Sequence, residues 1–170
     1  RCLYCSFVTC GTRQAAKLIG QYTEMLKREI SHTARILEQT GARIETVYIG
    51  GGTPTTLSAE LLDELISHCY SEFELKDCKE FTVEAGRPDT VTESKLRTIK
   101  DMGADRISIN PQTFNDEVLK IIGRKHTTEQ TYKAYDMARK IGFKTINMDL
   151  IAGLSGDSFE SFVSTLEKAI

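Results

Sequence analysis

The chain has 170 residues, 40% of them hydrophobic and 27% charged, enough for one ordinary globular core and too apolar for a disordered or collagen-like chain. Its formal net charge of -2 gives no general attraction to nucleic acid or to an anionic bilayer, so neither is an expected partner and any basic site must be local. No run approaches the roughly 20 apolar residues of a membrane-spanning helix and no signal-peptide pattern is present, which reads as a cytoplasmic protein.

From Gly11 to Gly41, Ala15, Leu18, Ile19, Tyr22, Met25, Leu26, Ile30, Ala34 and Leu37 recur every three or four positions, predicting a helix stopped by Gly41. Ile44 to Ile49 is a short β-rich run ending in glycines and predicts a strand. A second helix is expected from Ser58 as cap, with Leu61, Leu62, Leu65, Ile66 and Cys69 on one face. Phe81 to Glu84 predicts a strand, followed by a helix capped by Thr92 and stopped at Gly103. Arg106 to Asn110 is the third expected strand. Thr127 with Gln130 forms a capping-box signature for a helix ending at Gly142. Thr145 to Ile151 is the fourth expected strand, and Asp157 is expected to cap a last helix.

Strands alternating with helices, without linkers or convincing repeats, predict right-handed βαβ units and a parallel sheet in a single domain, residues 1–170. One strand face carries Val47, Ile49, Phe81, Val83, Ile107, Ile109, Ile146, Met148 and Leu150, expected to pack under the helices. The other carries Thr46, Tyr48, Thr82, Glu84, Ser108, Asn110, Asn147 and Asp149 and is polar throughout. A doubly wound sheet needs apolar residues on both faces, and a fully packed barrel fills its interior with branched aliphatics. A polar inner face instead suits an incomplete or wide barrel holding a polar ligand.

Cysteines lie at 2, 5, 10, 69 and 78, an odd number in a domain too large to need disulfide staples. Cys2-Leu3-Tyr4-Cys5 is a C-x-x-C, whose thiolates can bind zinc, form a redox dithiol or ligate an iron-sulfur cluster. A redox dithiol ordinarily follows a strand at a helix start, and a structural zinc site has a second ligand pair downstream. Neither context is evident, since Cys69 and Cys78 are too far apart. Gly50-Gly51-Gly52-Thr53-Pro54-Thr55 stands at a strand end before a helix, where successive glycines permit close backbone approach to a ligand. No Lys-Ser/Thr follows it, so it is not a P-loop, and its spacing is not that of a dinucleotide fingerprint.

Together, Cys2-Leu3-Tyr4-Cys5-Ser6-Phe7 and Gly50-Gly51-Gly52-Thr53-Pro54-Thr55 resemble the radical S-adenosylmethionine enzymes of the oxygen-independent coproporphyrinogen III oxidase/dehydrogenase group. Residues 81–88 (FTVEAGRP), 106–113 (RISINPQT), 122–124 (IGR) and 147–154 (NMDLIAGL) look like that group too, so the resemblance covers essentially the whole chain. It implies a partial parallel (β/α)6 barrel, TIM-barrel-like and here truncated at both ends, in keeping with the polar inner face. The family's C-x-x-x-C-x-x-C holds a [4Fe-4S] cluster whose remaining iron binds S-adenosylmethionine. By that pattern Cys2 and Cys5 are the second and third ligands, and the first would lie three residues before Arg1. Cys10 does not fit the pattern and is expected not to be a ligand. Because the chain opens on Arg1-Cys2, it is expected to start inside a longer protein.

The resemblance also implies roles by position. The backbone of Gly51, Gly52 and Thr53 would meet the methionyl amino group. Glu84 would bind the same cofactor through its amine or ribose hydroxyls, Gln112 and Asp149 its ribose or methionine, and Arg124 its carboxylate. Ala152 and Gly153 would leave room beside the adenine, and Tyr4 would lie by cluster and adenine. The activity implied is decarboxylation of two propionates of coproporphyrinogen III to vinyls. A 5′-deoxyadenosyl radical starts it, and electrons come from a donor such as flavodoxin or ferredoxin. Arg13, Arg87 and Lys125 are candidate contacts for the propionates, and His126 either faces substrate or enters a helix. A haem chaperone, or an inactive fragment, is the alternative. One departure is Gly153-Leu154-Ser155-Gly156, where the family commonly has Gly-Leu-Pro-Gly.

Overall fold

A computed structural model describes residues 2–7 and 12–170, with side chains from Gln14 onward in the second span. Helix α1 (Thr12–Thr40) leads into strand β1 (Thr46–Ile49), and then α2 (Ala59–Glu72), β2 (Glu80–Glu84), α3 (Glu93–Asp101), β3 (Arg106–Ser108), α4 (Asp116–Ile121), α5 (Thr128–Ile141), β4 (Thr145–Asn147) and α6 (Phe159–Ala169) follow. The strands form one sheet in the order β1-β2-β3-β4, each pair parallel. Right-handed crossovers that always step to the next strand deposit their helices on one face. The other face is left to polar side chains.

Local chemistry sets most boundaries. Ser58 and Thr92 cap α2 and α3 by accepting from the third amide onward. Thr127 and Gln130 close the reciprocal capping box of α5, and Gly142 ends that helix at φ 96, a left-handed position that disfavours a Cβ. The core is the expected apolar face. Phe81, Val83, Ile107 and Ile109 are buried with Leu62, Ile66, Leu96, Ile99, Ala134 and Ala138, and Val47, Ile49 and Ile146 pack against them. On α1, Ile19, Thr23, Leu26, Ile30 and Ala34 turn inward, whereas Leu18, Tyr22 and Met25, part of the same predicted pattern, are exposed.

Four expectations are corrected. The third and fourth strands are shorter than predicted, ending at Ser108 and Asn147. Past these points the Asn110 side-chain oxygen accepts from the Asp149 amide at 3.2 Å, taking a backbone acceptor's place. The chains pair again at an isolated Gln112–Leu150 bridge. For the same reason Met148 and Leu150 stay outside the core cluster. The first strand begins at Thr46 rather than Ile44. The cap of the last helix is Ser158, which accepts from the Ser161 amide; Asp157 accepts only from Ser158, one position too early to cap.

The fourth correction is a helix that the sequence reading passes over. Asn115 caps α4 by accepting from the Glu117 and Val118 amides. Val118, Leu119 and Ile122 bury a small second core with Leu154. That contact holds the Gly153-Leu154-Ser155-Gly156 turn without the family proline, Leu154 accepting from the Asp157 amide at 3.0 Å. The signal was present in Asn115 followed by Asp116 and Glu117, but six residues are too few for periodicity to register.

Candidate functional site

The polar sheet face and the loops at the C-terminal strand ends gather the candidate residues. After β1, the turn through Gly50–Thr53 runs into a 3₁₀ turn, Pro54–Thr56. Gly51 sits at φ 108, and a Cβ added at Gly51 or Gly52 would meet nothing within 4 Å, leaving the backbone open to a ligand. Gly50 is closed in by its neighbours: a Cβ there would strike the Tyr48 ring and come within 3.0 Å of Glu84 Oε1.

Tyr48 is a site residue that the sequence reading placed only on the polar face. Its hydroxyl donates to Glu84 Oε1 at 2.6 Å. That bond, with burial and the neighbouring Glu84 and Asp149 charges, pushes the phenol up to about 12. Tyr48 therefore stays a neutral donor and fixes one carboxylate oxygen of Glu84. Gly50→Ala should displace this pair and weaken binding of a ligand held by Glu84 about tenfold, without loss of the fold. Isothermal titration with S-adenosylmethionine checks this.

Asp149 is exposed; its Oδ1 accepts from Asn147 Nδ2 at 2.9 Å. Gln112 is buried and holds φ 68, the one positive value outside glycine among the described residues. Its amide donates to the Asp149 carbonyl at 3.0 Å and its carbonyl accepts from Ile151 at 2.9 Å. This strained position locks the ends of the third and fourth strands together. Ala152 and Gly153 are exposed beside it, Gly153 with nothing within 4 Å of an added Cβ.

The cysteine turn is tied to the same rim. Cys5 donates its amide to the Cys2 carbonyl at 3.3 Å, and Leu3 donates to the Ile122 carbonyl at the end of α4 at 2.9 Å. Arg124 follows from α4, its amide reaching back to Leu119 at 2.9 Å. Its Nε and Nη2 donate to the Tyr4 hydroxyl at 2.9 and 2.7 Å, and its Nη1 to the Gly86 carbonyl at 2.8 Å. Burial pushes the Tyr4 phenol up against the opposing pull of Arg124. Cys2 is 6% exposed and Cys5 half-buried, both free thiols. Arg87 Nη2 donates to Cys2 Sγ at 3.3 Å. Cys10 and the side chain of Arg13 lie outside the described residues, and Lys125 is exposed. Among the described residues no group of three or more His, Cys, Asp or Glu side chains could hold a metal.

His126 is buried, 2% exposed, and neither ring nitrogen has a partner among the described residues. Burial pulls it down to about 4, reinforced by the Arg124 charge. The folded chain thus keeps it neutral while the unfolded chain protonates near the ordinary value. Its contribution to stability is complete above about pH 6.5 and is lost as pH falls toward 4. His126→Leu should remove roughly 2 kcal/mol of the stability difference between pH 7 and pH 5. Urea midpoints of the two proteins at both pH values check this.

The strand ends of the parallel sheet thus bring an open glycine turn, a carboxylate and an arginine to one side of the molecule, with Arg124 reaching the C-x-x-C turn. The chain as a whole is matched among known proteins. Residues 1–169 match the Radical SAM superfamily, and the chain belongs to it. It is 41% identical over 169 residues to the oxygen-independent coproporphyrinogen-III oxidase-like protein HemZ of Bacillus subtilis, covering 99% of this chain and 34% of that protein. It is 36% identical to the haem chaperone HemW of Lactococcus lactis, over 98% of this chain and 42% of the relative. The solved coproporphyrinogen III oxidase HemN of Escherichia coli, described as a radical SAM enzyme, superposes with TM-score 0.87 at 32% identity, over 99% of this chain and 38% of that one. The chain thus spans between a third and a half of the length of these proteins, and its four strands are part of a radical SAM barrel.

That family implies a [4Fe-4S] cluster and S-adenosylmethionine. The residues present suit both: two free thiols, one buried against a guanidinium, are soft donors for iron, and glycines with room for a close approach, with a carboxylate oriented by a phenol, suit a polar amine-bearing cofactor. No described helix is long and apolar enough to cross a membrane.

Proposed function

We propose that this chain is the cofactor-binding part of a cytoplasmic oxygen-independent coproporphyrinogen III oxidase, which converts two substrate propionates to vinyl groups. The observation that carries this reading is the convergence of the Cys2–Cys5 turn, Arg124 and Glu84 on one rim of a polar sheet face. Cys2 and Cys5 would ligate the cluster. The backbone of Gly51, Gly52 and Thr53 would accept the methionyl amino group, Arg124 would pair with the methionyl carboxylate, and Glu84, Gln112 and Asp149 would hold amine and ribose. Tyr4, Ala152 and Gly153 would border the adenine. Bound there, the cluster and S-adenosylmethionine would supply radical chemistry at a substrate propionate, with electrons from a donor such as flavodoxin or ferredoxin.

The chain's own residues orient the site. Arg124 fixes Tyr4, and with it the cysteine turn. Tyr48 holds Glu84 as an acceptor, and the strained Gln112 keeps the Asp149 loop in register. A second reading, a haem chaperone, is favoured by the 36% identity to HemW. The full-length protein, reconstituted anaerobically and given S-adenosylmethionine, a reductant and coproporphyrinogen III, separates them. Formation of 5′-deoxyadenosine and a vinyl product supports the oxidase; tight haem binding without product supports the chaperone and overturns it.

A further inference from the structure

Arg87 stands where a substrate contact was expected, yet its guanidinium is turned toward the cysteine turn, donating through Nη2 to Cys2 Sγ at 3.3 Å. Its backbone carbonyl accepts two hydrogen bonds. The Arg87 carbonyl accepts from the Thr90 amide at 2.9 Å and from the Thr90 hydroxyl at 2.9 Å. The Thr90 hydroxyl in turn meets Thr55 Oγ1 at 2.6 Å, tying the loop after β2 to the glycine turn after β1. Lys95 then clamps the two, donating to the carbonyls of Thr55 at 2.6 Å and Thr90 at 3.2 Å.

No carboxylate ion-pairs with Arg87 among the described residues. A half-buried guanidinium that donates to a buried sulfur is poorly matched to a neutral thiol and well matched to a thiolate bearing metal charge. Hydrogen bonds and positive charge on a ligand sulfur stabilise the reduced cluster, because reduction adds negative charge that sulfur shares.

We propose that Arg87 is a positioning residue for the iron-sulfur centre, donating a charge-assisted hydrogen bond to the Cys2 sulfur and thereby raising the cluster's reduction potential. This rests on Cys2 being a cluster ligand. In the proposal Arg87 neither touches substrate nor exchanges a proton, and the electron comes from an external one-electron reductant.

The test is a redox titration of the reconstituted full-length protein without S-adenosylmethionine, monitored by the electron paramagnetic resonance of the reduced cluster. Wild type is compared with Arg87→Gln and with Arg87→Met, which keeps the packing of the stem; whichever variant retains the cluster is read. At the poise that half-reduces the wild type, the reduced-to-oxidised ratio should fall about tenfold, equivalent to about 59 mV for one electron. Arg87→Lys should recover part of it. An unchanged midpoint in a cluster-bearing variant overturns the proposal, all the more if porphyrinogen binding is lost instead. A wild-type protein that assembles no cluster, or one whose cluster survives Cys2→Ala, overturns the ligand assignment itself, a separate result.

Discussion

Cys5→Ala in the full-length protein should abolish the visible absorbance of a reconstituted cluster and its bound iron, while Cys69→Ala, Cys78→Ala and Cys10→Ala leave both intact. The reason is geometric as well as chemical. Cys2 and Cys5 share one turn, closed by the 3.3 Å bond between their backbones and pinned to Ile122 and Arg124. Cys69 sits within α2, and Cys78 precedes β2 at the sheet's opposite, N-terminal edge. A cluster held by three thiolates cannot be kept by the two that remain, and alanine offers no replacement donor. Survival of the absorbance in Cys5→Ala would remove this residue from the ligand set. Loss of it in Cys78→Ala would point to a different centre altogether.

Arg124→Ala should weaken S-adenosylmethionine binding to the cluster-loaded protein about a hundredfold, equivalent to roughly 3 kcal/mol. One guanidinium serves two ends here. It makes three hydrogen bonds, to Tyr4 and Gly86, and in the proposed reading it also neutralises the methionyl carboxylate. A charge-assisted bond contributes about 1.5–3 kcal/mol, and truncation also frees the cysteine turn. Tyr4→Phe separates the two effects, since it deletes the phenol oxygen and leaves the cation. It should cost well under tenfold in affinity if the carboxylate is the main partner. Arg124→Lys should recover only part, because an ammonium cannot reproduce the planar fork that grips Tyr4 and Gly86 together. Equilibrium binding to the anaerobic protein reads all three, and wild-type affinity in Arg124→Ala would overturn the assignment.

Much of this molecule was legible in the chain itself. Period-two alternation in residues 46–49, 81–84 and 106–109 placed Val47, Phe81, Val83 and Ile107 in the core and left Tyr48, Glu84 and Ser108 on the polar face. Those periodicities are local, and side-chain alternation obeys them whatever lies across the sheet. The capping box at Thr127 and Gln130 was equally readable, because both halves of it lie within one turn.

The remainder depended on contacts between distant residues. That Asn110 would displace a ladder bond and shorten β3 and β4 followed from its meeting Asp149, 39 residues on. That Arg87 would face Cys2 rather than open solvent followed from a contact 85 residues apart, on a loop set by the Thr55, Thr90 and Lys95 clamp. Helix α4, too short to announce itself, is what carries Arg124 to Tyr4 across a separation of 120 residues. The sequence by itself determined the parallel α/β class, the polar inner face and the residue types at the rim, because composition and periodicity act through neighbours in the chain. Only the tertiary structure decided which rim residues grip one another, because that choice is made by shape and charge across the sheet, where chain order carries no information.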